Sequence, residues 1–351
     1  MNRNLLAITI VICTLFCCTF TTIQTKAQKY KNPVSYMNAI NKGYKPVSND
    51  TWDYMRTVAH SKSARKIERR RKDLLDSHYK ARKSIGTIPG YKGDRSLRDS
   101  CISYLKLSTL ILRNDYDKIL DMEKISEESY DMMEAYLTAQ EMANDKLDSA
   151  FTRMTDAYNQ FAETHNVELI DKQSNRSRKM DIANRAFKYY NQIFLIQFKS
   201  SKQEAYLLEA MDNADVLAME QNKGALIKTA EEGMAILDTL QRFSGDGSLI
   251  NGCRKMLDFY TFEGEKKMPI IIDYYMKKEK FEKINKAFEA KRKNERTQED
   301  VDQFNQAVKD YNLAVNTYNA ANNELNQKRE NKYNNWGIIV TNFFKRYVPR
   351  K

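Results

Sequence analysis

Reactive chemistry needs side chains that ionise, ligate or attack, and this chain has few in telling arrangements. It holds three histidines, His60, His78 and His165. A helical di-metal centre draws on Glu-x-x-His pairs from facing helices, and no histidine here belongs to one. His165-Asn166-Val167-Glu168 has His-x-x-Glu spacing, but it falls at a predicted helix end, and such tetrads arise often by chance. There is no glycine-rich phosphate loop and no Gly-x-Ser-x-Gly elbow. The sequence therefore nominates no catalytic, cofactor-binding or metal-ligating residue, and the expectation is a non-enzyme without a cofactor.

Charge is more suggestive. Lys62, Arg65, Lys66, Arg69, Arg70, Arg71 and Lys72 crowd into eleven residues opposed by Glu68 alone. On a helix they wrap most of the circumference. They read either as a solvated face or as a contact for an anionic surface or glycan. Aromatics able to stack on bases do not interleave with them, which argues against specific nucleic-acid binding. The formal net charge of +12 draws the whole chain toward anionic partners.

The N-terminus sets the compartment. Met1-Asn2-Arg3-Asn4 is a positive head, Leu5 to Phe20 is apolar, and Thr25-Lys26-Ala27 places small residues before a cleavage site. That is the layout of a secretory signal peptide, residues 1–27. The expected product is exported to a periplasm, a cell surface or the medium. An uncleaved anchor would need roughly 20 apolar residues, more than the run provides. A lipid anchor on Cys17 or Cys18 would need a small residue where Phe16 stands. Beyond the leader only Cys101 and Cys253 remain. An oxidising compartment permits them to pair, adding about 4–5 kcal/mol for so long a loop, if their Cα atoms lie within about 7 Å. Two buried free thiols are the alternative.

The elements that position these residues are helices. No Gly or Pro occurs from Asp94 to Lys223 or from Ile270 to Trp336, and good helix formers fill both runs. The fold expected is all-α, an elongated bundle of long, mostly antiparallel helices with coiled-coil-like packing. A lead-in segment at 28–50 precedes a bundle at 51–351, with a sub-boundary near 244–248. One helix of about 35 residues should start at Ser48-Asn49-Asp50, and others near Ser96, Ser126 and Asn175. Shorter ones follow at 202–220, 224–242 and 249–262, then Pro269 to Lys293. The last opens on Thr297 and Asp300 and carries Val301, Phe304, Val308, Tyr311, Val315 and Tyr318 as a heptad seam. That seam either packs inside the bundle or pairs with a second chain. Trp336, Ile339, Val340, Phe343, Phe344, Tyr347 and Val348 form a final apolar stripe that excludes Ile338. It either lies on a membrane or closes the bundle.

Tyr311-Asn312-Leu313-Ala314-Val315-Asn316-Thr317-Tyr318-Asn319, then Asn322 to Asn326, Trp336 and Asn342-Phe343-Phe344 through Val348-Pro349 resemble a known C-terminal pattern. It is that of an exported helical surface-protein family of Bacteroidota and spirochaetes. The resemblance implies export, helicity and a surface location, and brings no catalytic residue. The function expected is that of a non-enzymatic surface or periplasmic protein binding an anionic envelope component or a protein partner. A membrane-active, pore-forming-like helical protein is the alternative, and a metal-binding enzyme ranks below it.

Overall fold

The computed structural model describes residues 30–61, 63–115, 125–170 and 174–350. The expected leader, with Cys17 and Cys18, and Lys62 of the basic run lie outside the described residues. The chain is all-α. In order come α1 (Pro33–His60), α2 (Ala64–Gly86), α3 (Ser96–Leu110), α4 (Tyr130–Thr164), α5 (Asn175–Asp212), α6 (Val216–Thr239), α7 (Ser248–Phe262), α8 (Met268–Ala290) and α9 (Gln298–Tyr347). One π-helical turn, Ile111–Asp115, follows α3 and another, Glu263–Lys267, follows α7. Among the described residues there is no strand, and β-pairing is limited to bridges between Tyr91 and Asp94 and between Phe243 and Asp246.

Several helix boundaries differ from expectation, each for a local reason. The first helix starts at Pro33, not at Ser48. Asn32 accepts from the Ser35 amide at 2.8 Å while Ser35 Oγ faces the Asn32 amide, a capping box. Pro46 lies inside α1 despite the roughly 3 kcal/mol a helical proline costs, because Tyr36, Met37, Ile40, Trp52, Tyr54 and Met55 are all buried on either side of it. Helix α1 ends at His60, and Ser63 caps α2. Likewise α5 continues to Asp212 and Asp215 caps α6, its carboxylate accepting from the Ala218 amide at 2.9 Å. Gly224 thus sits within a helix rather than before one. Ser129, not Ser126, caps α4.

The described residues form two compact units. One comprises those up to Asn191 together with those from Thr341 on; the other is Gln192–Val340. The division passes through α5 and α9, and the loop at 244–248 lies inside the second unit.

The second half of the chain repeats the first. Tyr91-Lys92-Gly93-Asp94-Arg95-Ser96-Leu97 and Phe243-Ser244-Gly245-Asp246-Gly247-Ser248-Leu249 make the same turn. Lys92 and Ser244 sit at φ 50° and 49°, Gly93 and Gly245 at φ 86° and 84°, left-handed values that favour glycine. In each turn the aspartate accepts from the following serine amide at 2.8 Å, and a helix of 15 residues and a π turn follow. On α2 the buried set Leu74, Ser77, His78, Ala81 and Ile85 recurs on α6 as Leu226, Thr229, Ala230, Gly233 and Leu237. On α3 Leu97, Cys101 and Leu105 recur on α7 as Leu249, Cys253 and Leu257. The end of α4 matches the end of α9: Met154, Tyr158, Phe161 and Ala162 are buried at the spacing of Trp336, Val340, Phe343 and Phe344. A helix, the left-handed turn, a 15-residue helix and a π turn therefore occur twice along the chain, once in each unit.

This duplication explains the cysteines, and of the two alternatives the structure has the free thiols and not the bridge. Cys101 and Cys253 are free thiols, each occupying the same core position of its own repeat. Burial pushes both up to about 12, so neither is a thiolate nucleophile.

The heptad seam of α9 is used inside the chain. Phe304, Tyr311 and Tyr318 stack on Phe288, Phe281 and Tyr274 of α8 at 4.5, 4.9 and 4.3 Å. The pairings run in opposite chain directions. The fully enclosed positions between them are Ala307, Ala314, Ala321 and Leu325, whereas Val301, Val308 and Val315 are half-buried at its edge. The C-terminal stripe also faces inward: Trp336, Val340, Phe343, Phe344 and Val348 are buried, while Ile338 is 57% exposed.

One core residue makes the first repeat acid-sensitive. His78 is fully buried, its Nδ1 2.8 Å from the Leu74 carbonyl and its Nε2 without a partner. Burial pulls it down to about 4. The native state therefore holds His78 neutral, and the stability it contributes is full above its ordinary value and is lost as pH falls through the window toward 4. Denaturant unfolding followed at Trp52, in a Trp336→Phe background, should show a loss of about 3 kcal/mol between pH 7 and 4. A flat profile would refute it.

Candidate functional site

The cleft belongs to the first unit and is built where α1 ends. Asp53, Arg56, Thr57 and His60 share one face of α1 through three- and four-residue spacing, and Thr57 Oγ1 donates to the Asp53 carbonyl at 2.7 Å. The chain turns through Ser61 and Ser63, and α2 then presents Lys66 and Arg70 one turn apart. Arg350 completes the wall. Together these residues line a cleft of ≈ 580 Å³.

The tail is tied to this cleft by two hydrogen bonds. His60 Nε2 lies 2.6 Å from the Val348 carbonyl, and Arg56 donates to the Arg350 carbonyl. Arg56 also pairs with Asp53 on its own helix, and Arg70 lies 3.3 Å from Asp73. The cleft thus gathers Arg56, Lys66, Arg70 and Arg350 around one carboxylate, Asp53. His60 feels that field: burial is the main cause of its lowered pKa, and Arg350, Lys345 and Arg56 lower it further, against the Val348 carbonyl. At neutral pH it stays uncharged, a hydrogen-bond donor to the tail.

The basic run from the sequence divides into three fates. Lys66 and Arg70 enter the cleft. Arg65, Lys66, Arg69 and Lys72 are exposed. Arg71 turns inward, which corrects its assignment as a surface contact. Its guanidinium bonds Glu68 at 2.8 and 3.0 Å and the Leu112 carbonyl at 2.7 Å, holding the first π turn against α2. Arg56, His60 and Arg350 were missed. The spacing of Arg56 and His60 was a weak signal; the arrival of the tail was none at all.

His165 and Glu168 do not converge. His165 Nε2 pairs with Asp94 Oδ2 at 2.8 Å, between the rings of Tyr91 and Phe161, and Glu168 is exposed. Among the described residues no group of three or more His, Cys, Asp or Glu could hold a metal ion.

A second polar constellation lies buried in the second unit. Arg329 of α9 donates through Nε to Glu204 Oε1 of α5 at 2.7 Å and through its second nitrogen to Glu263 Oε1, the first residue of the π turn. Tyr333 donates to Glu204 Oε2 at 2.5 Å. Its oxygen lies 3.0 Å from that of Tyr260, to which Gln197 donates at 2.9 Å. Glu263 Oε2 has no hydrogen-bond partner.

Protein-family models, curated proteins and solved structures yield no match to this chain.

Proposed function

We propose that this protein is a non-catalytic, exported binding protein whose basic cleft at the α1–α2 corner holds an anionic group of an envelope component. The observation that carries this reading is convergence. Residues far apart in sequence, Arg56, Lys66, Arg70 and Arg350, line one cleft whose described lining carries one carboxylate, Asp53, with Asp73 paired to Arg70 beside it, and exposed Arg65 and Arg69 extend the positive field. Clustered cations in a concave surface focus the field and raise the local concentration of anions. Paired serines, Ser61 and Ser63, add neutral hydrogen-bonding groups to the wall. Export rests on the leader, and the non-enzymatic role on the lack of a converging nucleophile, acid–base pair or metal set among the described residues.

Binding to phosphatidylglycerol vesicles and to an immobilised sulfated polysaccharide tests it. The Lys66→Glu/Arg70→Glu variant should bind at least one of these probes more than about tenfold more weakly, since the two cations removed contribute roughly 1 kcal/mol each at such a surface and the added carboxylates repel. A Lys277→Glu/Lys283→Glu variant, with the same change in net charge on α8, should bind like the parent. Equal loss in both variants, or retention insensitive to salt, would reduce the effect to non-specific charge.

The membrane-active alternative rests on the apolar start of α8, Pro269 to Met276. No helix among the described residues is long and apolar enough to cross a membrane. Dye release from the same vesicles would favour that alternative.

A further inference from the structure

The duplication supplies a control for the buried ionic constellation, because the first repeat shows what this fold needs at the same places. Glu204 on α5 corresponds to Thr51 on α1, Glu263 at the start of the second π turn to Ile111 at the start of the first, Arg329 on α9 to Leu147 on α4, and Tyr333 to Phe151. The correspondence is fixed on both sides. Tyr36, Phe161 and His165 form a ring cluster at 5.1 and 4.3 Å, matched by Tyr189, Phe343 and Tyr347 at 6.2 and 4.8 Å. Ile111 and Leu147 are buried, as are Glu204 and Glu263. In the first repeat these places hold an uncharged layer in which Thr51 supplies the polar group. The second repeat instead places two carboxyl groups and one guanidinium there.

That substitution is costly unless it does something, since buried ion pairs are commonly no more stable than apolar side chains of similar volume. We propose that Glu204, Glu263 and Arg329 form a proton-gated clasp in the second unit, closed while the two carboxyl groups share one proton beside the guanidinium and released when that proton leaves. The charge count requires it. Two carboxylates against one guanidinium leave a net negative charge in a core where Glu263 is 0% and Glu204 3% exposed, and one proton restores balance. The clasp joins three elements, α5 through Glu204, the π turn through Glu263 and α9 through Arg329.

Among the described residues, Arg329 is the cation bonded to the two carboxyl groups, and Lys267 of the same π turn is paired with Glu324. Gln197, Ser201 and Glu204 face the cluster from α5, Tyr260 from α7, and Arg329 and Tyr333 from α9. From α6 the backbone at Lys223 approaches Gly264, but the Lys223 ammonium is paired with Glu220. Burial first, and then the charge of Glu204, push Glu263 up to about 8, with Arg329 opposing. Burial also raises Tyr260 and Tyr333, so both remain hydroxyl donors throughout. The native state keeps the Glu263 proton from the ordinary carboxylate value to about 8, whereas the unfolded chain gives it up. Stability of the second unit therefore falls as pH rises through that window, by about tenfold in the folding equilibrium per pH unit. Above it the native core holds the extra charge and the clasp is open.

Trp336, buried on α9 one turn beyond Tyr333, reports on this unit once Trp52 is replaced by Phe. Urea unfolding of the full chain at pH 6 and pH 8 should show at least about a tenfold drop in the folding equilibrium constant. Glu263→Gln should flatten that dependence. The quadruple variant Glu204→Thr/Glu263→Ile/Arg329→Leu/Tyr333→Phe, which rebuilds the first repeat's layer, should fold and show none of it. The same pH slope in the parent and in either folded variant, or no slope in the parent, would overturn the clasp. Should Glu263→Gln fail to fold, the quadruple variant decides alone.

Discussion

Arg329→Leu should destabilise the second unit by about 3–5 kcal/mol at neutral pH, the range for breaking a buried ion pair from one side. Arg329 is 16% exposed and serves both carboxyl groups. Its removal strips Glu204 Oε1 and Glu263 Oε1 of their donor, while Glu263 Oε2 already has none. Tyr333 still donates to Glu204 Oε2 and Glu263 keeps its proton, which is why the loss should stop short of two unpaired charges. Leucine itself fits, because Leu147 fills the corresponding place of the first repeat. The defect is therefore the stranded acids and not the side chain introduced. Denaturant unfolding read at Trp336 measures it, and adding Glu204→Thr and Glu263→Ile to the same chain should restore most of the loss. A single variant as stable as the parent would mean that the acids find solvent or another donor.

Phe161→Ala should cost the first unit a similar amount, about 3–5 kcal/mol, through lost burial and the cavity left behind. Phe161 is 1% exposed. It packs on Tyr36 of α1 at 5.1 Å, on Tyr91 of the turn at 6.2 Å and on His165 at 4.3 Å. One ring thus holds α1, the left-handed turn and the end of α4 together. The cavity also leaves the His165–Asp94 pair without one of its two packing rings, and the site cannot collapse without moving three elements. Unfolding read at Trp52 measures the loss, and Phe161→Leu should recover more than half of it. A cost below about 1 kcal/mol for the alanine variant would show that the cluster repacks around the gap.

Both effects arise from one design. Each repeat closes its helices around a Gly-Asp-x-Ser-Leu turn, a 15-residue helix and a π turn, and each then specialises its core by a few side chains. The first repeat adds a histidine held neutral, the second a carboxyl group held protonated. The two therefore respond to pH in opposite directions, the first losing stability toward acid and the second toward base. The basic cleft has a third origin. It lies where α1 gives way to α2, and Lys66 and Arg70 reach it because the expected single helix ends at His60 and a second starts at Ala64.

The residues alone were enough for class and for much of the local structure. Long runs free of Gly and Pro and filled with good helix formers pointed to helix, although breaks such as that between Asp212 and Val216 fall inside them. Thr297 and Asp300 announced the start of α9, and their reciprocal hydrogen bonds, 2.9 and 3.2 Å, are present. The outward place of Ile338 followed from helical spacing alone. The repeat was legible too, as Gly-Asp-x-Ser-Leu-x-x-x-Cys-x-x-x-Leu at Gly93 and again at Gly245, but only to a reader comparing the two halves.

What the linear order did not contain was which distant groups meet. Cys101 and Cys253 resembled partners because they are the cysteines left beyond the leader, yet each fills a core position of its own repeat. Arg71 looked like its basic neighbours, yet one step of rotation around α2 turns it inward to Glu68 and the Leu112 carbonyl. Glu204, Glu263 and Arg329 read as ordinary charged residues of helical surfaces. Spacing along a helix is a property of neighbours, and it fixes which side chains share a face. The environment of that face depends on other helices brought to it by folding. Burial, charge balance and the proton held by Glu263 are consequently decided only in the tertiary structure.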